Sequence, residues 1–181
     1  LDGLVDIDVP YGGIYDNNGN NNNITATNLI LSARDGIGSS DEIETEVSNL
    51  AALNTLAGDI RIENTGALTV TKIDSMNGVV NNGEDIHLKV NNGDLTISGS
   101  KDLSTIVAEG DTVVLDIDGA IVDGHYSVTP NTTDVTAENL KILTKDGMKA
   151  GIPFENPPAT LSNDPSIETN VRNLAAYNSD S

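Results

Sequence analysis

Asp116 and Asp118 stand two residues apart, and Asp6 and Asp8 repeat the arrangement. On an extended strand such a pair shares one face at a separation of about 7 Å. An inverting glycoside hydrolase leaves similar room between its acid and its base. Asp116, Asp118 and Asp123, with Gly119 among them, also offer the oxygen-rich loop chemistry that calcium takes, and they are the metal candidates. The spacing and terminal bidentate Glu of an EF-hand are missing, as is the glycine-rich nonapeptide of calcium-binding β-rolls. The histidines, His87 and His125, form no zinc-type pair, and no serine occupies a Gly-x-Ser-x-Gly elbow. His87 lies between Ile86 and Leu88, so a strand would turn it to solvent. Three features argue against catalysis. The aspartates alternate with Leu115 and Ile117 as the outer face of a strand does, the pair recurs in a repeated unit, and one Phe, four Tyr and no Trp leave no platform for sugars. The expectation is no catalytic residue.

The elements that hold these groups follow a repeat. Ile24-Thr25-Ala26-Thr27-Asn28-Leu29 returns 111 residues later as Val135-Thr136-Ala137-Glu138-Asn139-Leu140. Residues 43–54, from Ile43-Glu44-Thr45 to Ala52-Leu53-Asn54, return 124 residues later as 167–178, from Ile167-Glu168-Thr169 to Ala176-Tyr177-Asn178. Val5-Asp6-Ile7-Asp8 matches Leu115-Asp116-Ile117-Asp118 at an offset of 110. The second copy therefore carries an insertion near 150–163, where Pro153, Pro157 and Pro158 predict a loop. Within this long unit, Gly36, Gly66, Gly93, Gly119 and Gly147 recur at 30, 27, 26 and 28 residues, each after a short apolar alternation such as Ile60/Ile62 or Ile86/Leu88/Val90. Period-two runs at near-constant spacing predict short strands stacked as a solenoid, each level too thin to bury a core alone. The fold expected is an all-β parallel β-helix with coils of about 26–30 residues. It would be one solenoid segment over 1–181, made of a unit 1–110 and a partial unit 111–181. The second copy breaks off where a segment like Gly58–Ile62 would follow, so a longer array is expected, with targeting information elsewhere.

The alternative is an antiparallel β-sandwich, since Asn77-Gly78, Asn92-Gly93, Asp118-Gly119 and similar pairs are good hairpin turns. The same residues suit the tight corners of a parallel stack. Residues 43–54 also read two ways. Ile43, Val47, Leu50 and Ala51 fall at helical spacing, but a strand is preferred because it leaves Asn54 and Asn178 to stack as amide ladders. A net charge of −19 argues against a nucleic-acid partner, and no apolar run reaches the roughly 20 residues of a membrane-spanning helix. With no cysteine, disulfides and thiolate chemistry are excluded. Neighbouring repeats of the same chain are the first partners expected.

Asp35-Gly36-Ile37-Gly38, then residues 43–52, then Gly58-Asp59-Ile60-Arg61-Ile62-Glu63-Asn64-Thr65-Gly66-Ala67-Leu68-Thr69-Val70 resemble the repeat of very large bacterial surface proteins. These are the filamentous-haemagglutinin-like and giant autotransporter-type adhesins. The resemblance covers most of the chain loosely, and its motif holds no catalytic residue. It implies a right-handed parallel β-helix at the bacterial cell surface or secreted outside it, a non-enzymatic stalk or display scaffold meeting a host-cell, surface or polysaccharide ligand. The secretion domain that opens such proteins has no match here, so the residues do not support two-partner export. The competing functions are a polysaccharide-degrading enzyme on a β-helix and a calcium-dependent binding module.

Overall fold

The computed structural model describes residues 3–100, 103–124, 133–150 and 167–179. His125 and the body of the expected insertion, 151–163, lie outside them. The elements are β1 (Leu4–Val9), β2 (Ile24–Ala33), β3 (Ile43–Asn54), β4 (Ile60–Thr65), β5 (Leu68–Ile73), β6 (Met76–Asn77), β7 (Val79–Asn81), β8 (Ile86–Asn91), β9 (Leu95–Ser98), β10 (Ile106–Ile117), β11 (Ile121–Asp123), β12 (Val135–Thr144), β13 (Met148–Ala150) and β14 (Thr169–Asn178). No helix occurs among the described residues, and none could therefore cross a membrane. The chain is all-β with a large, mostly parallel sheet.

Every pairing between these strands is parallel except the β5–β6 hairpin, where Lys72 faces Asn77. The antiparallel sandwich is thus not what forms. Its turn signals mark corners instead: Gly36 (φ 101°) and Gly78 (φ 63°) take left-handed conformations that a side chain would resist, and a Cβ on Gly78 would collide with the Thr105 carbonyl. The segment 43–54 is a strand, as preferred. Its helix-like spacing arises because Leu50, Ala51 and Ala52 are all fully buried, so that both faces of the strand are covered at this point.

Aliphatic residues stack in register from one pass of the chain to the next. One column runs Ile60, Ile86, Val113, Leu140, and beside it run Ile62, Leu88, Leu115, Ile142. A second sets Leu68, Leu95 and Ile121 above one another, and a third Val79, Ile106 and Val135. Almost all are buried below 2% exposure. Each fully buried Leu, Ile or Val contributes about 2 kcal/mol, so among the described residues a core without aromatic rings is built by repetition. The expected period of about 26–30 holds in the middle, where hydrogen-bonded partners are 26 and 27 residues apart (Asp59–Asp85, Asp85–Thr112). It is shorter toward the first strands, 19 between Thr45 and Asn64 and 21 between Asn28 and Asn49, and longer at the far end, 34 between Asn139 and Asn173. The core needs only in-register strands; the corners absorb the difference.

Candidate functional site

β10 places Asp116 on its outer face, half-buried between the buried Leu115 and Ile117, with Lys89 and Leu143 at the same register on either side. Asp118, just past the strand, makes an ion pair with Lys145 and accepts from the Asn92 N–H at 3.4 Å. Asp6 and Asp8 are exposed on β1. Asp123 stands apart from all of these. It occupies an inward position of β11, in register with Ile97 of β9, and only 4% of it is exposed. The structure therefore does not bring the three calcium candidates together.

Asp123 meets different carboxylates. Asp134, fully buried just before β12, and Glu168, just before β14, place carboxylate oxygens within 4.8 Å of one another and of Asp123. The Asp134 N–H donates to the Glu168 carbonyl at 2.8 Å, and the Glu168 N–H returns a bond to Asp134 Oδ2 at 2.9 Å. The first copy of the repeat holds the same lock in another composition. There the Asn23 N–H donates to the Glu44 carbonyl at 2.9 Å and the Glu44 N–H to Asn23 Oδ1 at 2.7 Å, while Asn23 Nδ2 donates to Asp16 Oδ1 at 2.6 Å. An amide at position 23 becomes a carboxylate at 134. An amide can donate to the neighbouring acid and a carboxylate cannot. Asp134 and Glu168 were missed in the sequence, although the repeat register sets Asp134 opposite Asn23 and Glu168 opposite Glu44.

The electrostatics of the first copy follow from this geometry. Burial opposes ionisation of Asp16, but bonds from Asn23 and from the N–H groups of Asn18, Asn17 and Gly19 outweigh it and hold the carboxyl below its usual range. Glu44 is raised, first by burial and then by the negative charges of Asp16, Asp41 and Glu63. His87 turns outward as expected but is not free in solvent. It is half-buried, with Nδ1 3.5 Å from Glu42 Oε1, and its pKa is lowered by burial and by Arg61.

Two of the grooves on the exterior bear on function. One, of about 440 Å³, runs along outward-facing Leu53, Val80 and Val107 between Met76 and Leu103. The other, of about 300 Å³, holds Asp116, Asp118, Lys145 and Tyr177. In the latter, the Lys145 ammonium is paired with Asp118. No protein-family model, curated protein or solved structure matches this chain.

Proposed function

We propose that the chain is a non-enzymatic segment of a right-handed parallel β-helix, a stalk or display scaffold in a large secreted or surface-exposed bacterial protein. The observation that carries this reading is where the polar side chains spend their bonds. Successive levels are tied to each other: Lys89 Nζ donates to Glu63 Oε2 at 2.8 Å, Arg172 to Glu138 at 3.0 Å, Asn54 to Asn81 at 2.8 Å, Asn49 to Asn28 at 2.9 Å and Asn173 to Asn139 at 2.8 Å. Charges and amides committed to neighbouring levels make a stiff extended body and leave few groups to converge on a substrate. The helical sense is that of nearly all parallel crossovers. Small-angle scattering from the purified chain should fit an elongated particle. Release of reducing ends from any of a panel of acidic and neutral polysaccharides would instead establish the hydrolase.

The calcium-dependent reading is favoured by one observation, the replacement of an amide by a third carboxylate at Asp134. Three oxygens within 4.8 Å of one another share a point no more than about 2.8 Å from each, and a small inward turn of the side chains reaches the roughly 2.3–2.6 Å of a calcium–oxygen bond. On this reading millimolar calcium raises the thermal midpoint by several degrees and chelator reverses it. Asp134→Asn restores the composition of the first copy, so it should fold without calcium and lose the shift. An identical calcium response in Asp134→Asn excludes the site.

A further inference from the structure

β14 carries the sequence of β3 a second time, with Thr169–Asn178 aligned on Thr45–Asn54 and Met148 on Ile37. The near sides of the two strands are built alike. Leu174 faces Leu140 as Leu50 faces Leu29, and the Asn173–Asn139 amide pair repeats Asn49–Asn28. The far sides differ. β3 is covered by β4, β5 and β7: Thr45 meets Asn64, Leu50 meets Val70, Ala52 meets Val79, and the preceding Ile37 bridges Ile60. Leu50, Ala52 and Ile37 are completely buried in consequence, whereas Leu174 is 58%, Tyr177 64% and Met148 52% exposed. Among the described residues β13 pairs only with β11 and β14 only with β12. An open parallel edge of this kind is a template for strand addition.

We propose that the β13–β14 end is an acceptor surface for a polypeptide level that reads like Gly58–Asn81. The chain's own first copy specifies that partner. One aliphatic side chain lies over Met148 as Ile60 lies over Ile37, a second over Leu174 as Val70 over Leu50, and a third over Ala176 as Val79 over Ala52. An asparagine two residues past the third stacks on Asn178, as Asn81 accepts from Asn54 Nδ2 at 2.8 Å. The backbone follows the same template. The Ala52 N–H donates to the Gly78 carbonyl at 2.8 Å, and Ala176 is the equivalent donor. A second copy of the whole chain fits less well, because each copy carries a net charge of −19 and two such bodies repel. The inference rests on the strand pairing and not on an extracellular role.

A chain in which a copy of Thr55–Glu109 follows Asn178 supplies this level covalently. Hydrogen exchange at Ala176 should slow at least about tenfold. Changing Val70→Asp and Val79→Asp in the appended copy alone should abolish the slowing. The readout sits on β14 of the parent chain, so it can be taken whether or not the appended segment folds well. Unchanged exchange in the extended chain, or equal slowing with the Asp substitutions, overturns the proposal. So does sedimentation showing that the unextended chain forms oligomers abolished by Leu174→Asp, since the surface then belongs to a second copy.

Discussion

Glu44 Oε2 is buried without a hydrogen-bond partner, and the carboxylates of Asp16, Asp41 and Glu63 act on the same group. A carboxyl raised in the folded state contributes stability that is fully present below its ordinary value of 4.5 and lost as pH climbs through the raised value. Glu44→Gln should therefore stabilise the chain at neutral pH, by no more than about 1 kcal/mol after solvent screening. The gain should vanish near about pH 4 in a series of thermal melts. His87 has the opposite sign. Its folded value is lowered, so stability holds above its ordinary 6.5 and falls as pH drops through that value toward the folded one. His87→Gln should flatten the dependence of the thermal midpoint on pH between about 7 and about 5. That His87 faces outward was legible from its alternation with Ile86 and Leu88. Its contact with Glu42 was not, because the two groups meet through lateral stacking and are remote in the chain.

Leu88 of β8 stands between Ile62 of β4 and Leu115 of β10, all three at 1% exposure or less. Neighbours on both sides are held in register and cannot collapse into a void, so Leu88→Ala should cost about 3 kcal/mol in denaturant unfolding. Asn54 of β3 is also fully buried. It accepts from the Gly36 N–H at 2.9 Å and donates to the Ala57 and Gly58 carbonyls and to Asn81. Asn54→Ala strands those groups and should cost about 2–3 kcal/mol, whereas a substitution at exposed Glu109 should be neutral. Strand β3 was readable only with the argument that Asn54 would ladder, because burial on both faces at Leu50–Ala52 mimics helical spacing.

At the scale of the whole molecule, each strand of the large, mostly parallel sheet is held by the strands beside it, so cutting the register of one strand should open the sheet there without melting the remainder at once. Gly78→Val tests this: a side chain at φ 63° against the Thr105 carbonyl should loosen exchange around β7 and β10 before β1 and β2 respond. The amino-acid order was enough to establish the inward aliphatics, the alternation that makes strands and the repeat that pairs them in parallel, since these are local properties of neighbours one and two apart. Folding alone decided which side chains lie above one another. Asp123 left Asp116 and Asp118 to join Asp134 and Glu168, and one copy of a repeated segment became core while the other became an exposed end. The reason is that lateral register depends on how many residues separate stacked partners, from 19 between Thr45 and Asn64 to 34 between Asn139 and Asn173, and no local preference sets that number.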